Sequence, residues 1–308
     1  MTKANFDIEK HFHIPVLLRE VIDYLDVKKG GRYIDCTFGF GGHSFEILKR
    51  GGKVLGLDSD KESLEVAGEF KVQTCLPARQ GSKFKDNVGG LTLENANFSR
   101  LEEVARKQGF TEVNGILYDL GLSSWQLSHS GRGFSFQKDE PLDMRADLSL
   151  GVTAADLINT LSANELTKLF KNFGQEHRAR RFAKALVHSR SIKPIETTVD
   201  LLNALGVKKG FKDRIHPATQ VFQALRIAVN SELLNLSCSL PQAQKLLGAG
   251  GKLVVISFHS LEDRLVSEFG NQASNLKSLT PKPVVPSTVE AAENPRARSA
   301  KLRAFEKL

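Results

Sequence analysis

Short apolar runs and stretches of helical period take turns along the first 126 residues. "HIPVLLREVIDYL", from His13 to Leu25, carries apolar side chains at helical spacing behind a proline and predicts a leading helix. Arg32 to Cys36 and "KVLGLD" from Lys53 read as buried strands, and a helix from Ser44 to Lys49 fits between them. "LTLENANFSRL" returns to strand character before a helix through Gln108, and "VNGILYD" predicts a fourth strand ending at Asp119. Strands alternating with helices predict an α/β fold with a parallel, doubly wound sheet. Residues 68 to 93 turn polar and glycine-rich, so a long irregular loop is expected there, with its centre at 75–92.

Beyond Leu127 the strand rhythm stops. "TAADLINTLSANELTKLFKNFG" and "QEHRARRFAKALVHSR" have helical period, which predicts an inserted all-helical domain up to His216. "TQVFQALRIAVNSELLNL" predicts one long helix, "GGKLVVISF" another core strand and "RSAKLRAFEKL" a last strand. The expected organisation is a sheet domain in two parts, 1–126 and 217–308, around a helical insert at 127–216. The proline-broken "SLTPKPVVPSTVEAAENPRARS" between the last strands predicts loop with short extended pieces.

Composition narrows the class. The 308 residues are 41% hydrophobic, enough for a sizeable core. No apolar run approaches the ~18 residues of a membrane span, and the polar start lacks the apolar stretch of a signal peptide, so a cytoplasmic protein is expected. Cys36, Cys75 and Cys238 are far apart with no C-x-x-C pair, which argues against a disulfide framework or zinc site; no metal is expected. With 43 Lys and Arg against 35 Asp and Glu, the net charge of +8 favours a polyanionic partner.

The candidate chemistry gathers at predicted strand ends. "YIDCTFGFGGHS" places Gly39, Gly41 and Gly42 between the first strand and its helix, where backbone can approach a ligand closely. A dinucleotide fingerprint would need a further glycine at Ser44, so that match is partial. Asp58 ends the second strand and can accept from ribose hydroxyls, of NAD or of S-adenosylmethionine, or can simply cap the next helix. Asp119 ends the fourth strand. The following residues to Asp147 are dense in polar groups, with Ser123, Ser124 and Gln126 as hydrogen-bonding groups and Trp125, Phe134 and Phe136 as surfaces for stacking a base. "ISFHSLEDR" puts His259 beyond another strand, and Ser260 with Asp263 matches a capping box. Lys168, Lys171, Arg178, Arg180, Arg181 and Lys184 accumulate in the insert, as a solvated face or a grip on phosphates. Arg296, Arg298, Lys301 and Arg303 extend the basic character near the end.

These residues resemble the RsmH (MraW) family of 16S ribosomal RNA cytosine-N4 methyltransferases. The resemblance runs through "IDCTFGFGGHS", "LGLDSD", "DLGLSSWQL", "RGFSF", "PLDMR", "FGQEHRARRFAKAL", "IHPATQVFQALRIAVNSEL", "ISFHSLEDR" and "NPRARSAKLRAFEK", nearly the whole chain. It implies a class I (Rossmann-like) S-adenosylmethionine-dependent methyltransferase sheet with a helical substrate-recognition insert. It also implies N4-methylation of a decoding-region cytidine, with 16S ribosomal RNA in the small subunit as partner and a homodimer left open. By similarity Gly39, Gly41, Gly42, His43, Asp58, Phe98, Asp119 and Gln126 would contact the cofactor. Asp119, Ser123, Trp125 and His259 are candidates for positioning the base, and Arg178, Arg180, Arg181 and Lys184 for binding RNA. "DLGL" stands where DNA amino-methyltransferases carry a D/N/S-P-P-Y/F tetrapeptide, which speaks against a DNA substrate. A nicotinamide oxidoreductase and a non-catalytic assembly factor are the competing readings.

Overall fold

The apolar runs form a seven-stranded sheet in a computed structural model that describes residues 15–74, 89–207 and 216–308. The strands are β1 (Arg32–Asp35), β2 (Lys53–Asp58), β3 (Leu91–Asn95), β4 (Val113–Asp119), β5 (Leu247–Ser257), β6 (Leu276–Ser278) and β7 (Lys301–Lys307), in the order β3-β2-β1-β4-β5-β7-β6. The first five lie parallel, and β7 runs antiparallel to β5 and to β6. Because β1 crosses over to β2 on one side while β4 lies on its other side, the topological switch falls between β1 and β4. In open α/β sheets, ligands bind beyond the strands' carboxyl ends at such a point. The reversed β7 departs from an all-parallel dinucleotide-binding order.

The chain divides into two compact units, and each has its own core. The first comprises the described residues up to Gly121 together with Ser237–Leu308. One face of its sheet packs on the leading helix α1 (Leu18–Leu25), through Val21, Ile22 and Leu25 against Tyr33, Leu117 and Val254. Pro15 lies ahead of this helix, which begins only after the left-handed Leu17. Phe38, Leu64 and Ala67 form a smaller cluster near the glycine bend. No helix among the described residues is long and apolar enough to cross a membrane.

The second unit, Leu122–Leu236, contains helices and no named strand among its described residues. Four of them run Ala154–Thr160, Ala163–Gly174, Ala179–Arg190 and Thr219–Asn230, around Leu166, Phe170, Phe182, Leu186, Val221 and Leu225. Thr219–Asn230 shares this core, so the unit extends past His216, whereas the hydropathy pattern places the end of the insert there.

Three local expectations are corrected. "TQVFQALRIAVNSELLNL" is two helices, because Ser231 takes the left-handed conformation at φ 50° and ends the first before Glu232 opens the next. Both ends of the stretch expected to be an irregular loop are regular, with helix over Lys61–Thr74 and strand resuming at Leu91, while the expectation for 75–88 lies outside the described residues. The strand β6 was not predicted; three residues with one buried side chain give no alternation to read.

Candidate active site

The glycine bend forms where β1 parts from its neighbours. Cys36 N–H still bonds to Leu117 O of β4, but Phe38 N–H has turned to Leu57 O of β2. Gly39 (φ 52°) and Gly41 (φ 69°) then take left-handed backbone, where side chains are strained. A Cβ at Gly41 would also stand 2.5 Å from Phe38 and 2.6 Å from Phe45. Gly42 opens the helix α2 (Gly42–Lys49), two residues earlier than predicted, and no side chain caps it. Ser44, standing where a dinucleotide fingerprint has glycine, is fully buried and donates its hydroxyl to Asp35 Oδ2 at 2.7 Å.

Three carboxylates close the strands around this bend. Asp35, at the end of β1, also accepts Thr37 N–H at 3.1 Å, and burial raises its pKa to about 6. Asp58, at the end of β2, accepts Gly39 N–H at 2.8 Å and Asp60 N–H at 2.9 Å, and burial likewise raises it to about 6. It does not cap the next helix; Asp60 does, through Ser63 N–H. Asp119, at the end of β4, is pushed well above its ordinary range by burial and by the charges of Asp35 and Glu262. Its Oδ1 is buried with no hydrogen-bond partner among the described residues. No lysine or arginine among them pairs with any of the three.

His43 sharpens this picture. Its Nε2 lies 3.0 Å from Val16 O, and a carbonyl can only accept, so Nε2 carries the proton. Burial lowers the ring's pKa to about 4, which makes the imidazole neutral at pH 7. The bare Nδ1 therefore faces Asp119 Oδ2 at 3.6 Å, beyond hydrogen-bond distance, and with the Asp119 carboxyl ionised both atoms are acceptors. Such a pair calls for a donor from outside the protein. Phe98, half-buried just beyond β3, stands edge-on to Tyr118 with ring centres 5.6 Å apart.

At the end of β5, His259 is the N-cap of the helix Ser260–Gln272. Its Nδ1 accepts Glu262 N–H at 3.3 Å, and the Glu262 carboxylate accepts Phe258 N–H and His259 N–H. The capping box thus lies one residue earlier than the predicted Ser260 and Asp263, because Asp263 is taken by Arg303 at 2.6 Å and Lys301 at 3.1 Å. Those two cations are therefore not free basic surface. Asp35 was missed as a site residue: its Ser44 partner is nine positions away, and only the folded bend joins them.

In the helical unit, Ser123 and Gln126 form a reciprocal capping box for the short helix Ser124–Ser128, and Trp125 stacks on His129 at 5.3 Å. Phe134 does not offer a stacking surface, and the partly buried Phe136 already has ring partners. Phe134 is core with the Arg132 guanidinium over its ring, and Phe136 packs on His216 and Phe222. Of the basic run, Arg178 pairs with the buried Glu176 at 3.1 Å and covers Phe182, while Arg180, Arg181 and Lys184 are exposed.

Residues 10–308 match the model of the MraW methylase family. The chain is 45% identical to "Ribosomal RNA small subunit methyltransferase H" of Thermomicrobium roseum, covering 96% of this chain and 94% of that one. It is 43% identical to the protein of the same name from Carboxydothermus hydrogenoformans, over 96% of this chain and 98% of that one. An rRNA methylase from Streptococcus thermophilus superposes with a TM-score of 0.45 at 10% identity, covering 96% of this chain and 99% of that one. The family match spans both parts of the sheet and the helical unit between them, and this chain belongs to the MraW methylase family.

Proposed function

We propose that the chain methylates the exocyclic N4 of one cytidine in the decoding region of 16S ribosomal RNA, presented in the small ribosomal subunit, by direct in-line transfer from S-adenosylmethionine. The cofactor supplies a methyl group already activated by a sulfonium charge. The observation that carries the reading is the buried Asp119 Oδ1, which has no partner among the described residues, in a rim of carboxylates that no described cation pairs with. A cationic cofactor with an ammonium group relieves both deficits. The pyrophosphate of a dinucleotide would add negative charge to the same rim.

Each group has a task set by its chemistry. Asp58 keeps lone pairs for ribose hydroxyls beside the two backbone bonds it accepts. Phe98 offers an apolar ring for adenine, Gly39, Gly41 and Gly42 let backbone come close, and Asp119 with His43 Nδ1 accepts an N–H donor. By family resemblance Gln126 completes the cofactor contacts. Cytosine's amino lone pair is delocalised into the ring, so the reaction depends on holding nitrogen, methyl and sulfur in line and on acceptors that favour a pyramidal amine. The base must also leave its stack, and Trp125, outside the helical core, is the ring we assign to it, with Ser123 and His259 as further positioning candidates. Arg180, Arg181 and Lys184, with Arg178 behind them, fit phosphate contacts.

The test is to incubate the protein with labelled S-adenosylmethionine and small subunits from cells lacking the modification, then identify the labelled nucleoside. Label on a single cytidine N4 is expected. Clear cofactor binding with no label on intact subunits would overturn the substrate assignment and favour an assembly factor.

A further inference from the structure

Asp119 must be held in place for its carboxylate to serve, and the sheet alone does not hold it. The β1–β4 pairing ends at Asp35 opposite Leu117, whereas β4 stays paired with β5 as far as Asp119 opposite Ile256. Leu120 N–H bonds toward β5, to Ile256 O, so Asp119 N–H points the other way, to the side that β1 has left. There it donates to a side chain, Thr37 Oγ1, at 2.7 Å.

Thr37 is itself tied down. Its backbone N–H donates to Asp35 Oδ1 at 3.1 Å, and its hydroxyl lies 3.5 Å from the same oxygen. Ser44 holds the other oxygen of Asp35. The β-branched side chain is stiff about χ1, which suits a hydroxyl that must stay in one place. We propose that Thr37 is a positioning residue, which substitutes for the missing strand at the switch point and, braced by Asp35, sets where the Asp119 carboxylate stands. This rests on the reading of Asp119 as a cofactor-binding group.

The experiment measures S-adenosylhomocysteine affinity calorimetrically on the full chain, with folding checked by thermal melting. Thr37→Val keeps the shape and removes the hydroxyl; it is expected to weaken binding about tenfold, the size of one lost buried hydrogen bond with some misplacement of a charged group. Thr37→Ser restores the hydroxyl and is expected to bind within about threefold of the unaltered protein. In an Asp119→Ala background, Thr37→Val is expected to cost less than about twofold, because a residue that acts through Asp119 has nothing left to position. Should Thr37→Val not fold, Thr37→Ala is read in its place. Equal losses in the Val and Ser variants, an undiminished loss in the Asp119→Ala background, or no loss at all would each overturn the inference. Failure of the unaltered protein to bind S-adenosylhomocysteine would instead remove the cofactor reading, and the inference with it.

Discussion

Two polar regions of this chain are built in opposite ways. Between Arg132 and Leu150, in the helical unit, the charges are used internally. Arg145 makes a fork to both oxygens of Asp143, at 2.7 and 2.8 Å, and gives both Nη1 donors to Leu148 O and Leu150 O. Arg132 donates to Arg145 O and Ala146 O, and Asn230 bridges Met144 O and Ala146 N–H. At the strand ends of the first unit, Asp35 and Asp58 receive only neutral donors among the described residues, and Asp119 Oδ1 receives none from them. Asp263 is the control within that same unit. Burial acts against its charge too, yet Arg303 and Lys301 hold its pKa below the ordinary value, while burial raises all three rim carboxylates. A region whose buried carboxylates have cations at hand is scaffold; one whose buried carboxylates meet none among the described residues is a place for a ligand.

The largest effect is expected at Asp119. Asp119→Ala should lower S-adenosylhomocysteine affinity about a hundredfold, as loss of a buried hydrogen bond to a charged group implies. Asp119→Asn should also melt higher than the unaltered protein in the absence of cofactor, since it removes an unpaired buried carboxylate. Calorimetry and thermal melting read both outcomes. Affinity within threefold of the original would dissolve the contrast between the two stretches.

The opposite pattern is expected in the scaffold. Arg145→Lys cannot reproduce the fork to Asp143 and leaves two carbonyls short of donors, at a site only about one-fifth exposed. A loss of ~2 kcal/mol in the stability of the helical unit follows, read by urea unfolding, with S-adenosylhomocysteine affinity unchanged within about twofold. A variant that unfolds no more easily but loses cofactor would place Arg145 in the site after all.

How much of this was legible in sequence depends on the range of the interaction. Apolar runs gave strands β1, β2, β3, β4, β5 and β7 because burial on both faces writes itself into consecutive residues. The glycine bend was legible because φ above zero selects glycine, and Asp58 because it closes a strand at the expected distance. The Arg145 clamp was not: Asp143 and Arg145 are two apart in a segment with neither helical nor strand periodicity, so the stretch read as functional polarity. Asp35 looked like the end of an apolar run, since nothing local announces that Ser44 and Thr37 fold back onto it. Ser231 broke a predicted helix with neither glycine nor proline to mark the break.

The smallest expected effect separates the rim from Asp263 by pH. Asp35 and Asp58 have folded-state pKa values near 6, above the unfolded value near 3.8, so the native state binds protons more tightly than the unfolded chain. Their penalty is absent below the unfolded value and complete above the folded one, and stability falls as pH rises between the two. Asp263 behaves in the reverse sense: its contribution is present above its unfolded pKa and is lost only as pH drops through its lower folded value. Taken alone, these two carboxylates stabilise the cofactor-free protein by ~1–2 kcal/mol between pH 7.5 and pH 5.5. His43, with a folded pKa of about 4 against an ordinary 6.5, opposes them by about 1 kcal/mol over the same window, so the rise of a few degrees in melting temperature is expected in a His43→Gln background, before acid unfolding through groups such as Asp263 begins. S-adenosylmethionine should flatten that rise, because its positive charge favours the ionised rim and its own binding weakens as the rim takes up protons. A melting temperature that rises toward pH 7.5 in the cofactor-free His43→Gln protein would mean that the rim carboxylates already have their counter-charge, and the comparison would fail at its base.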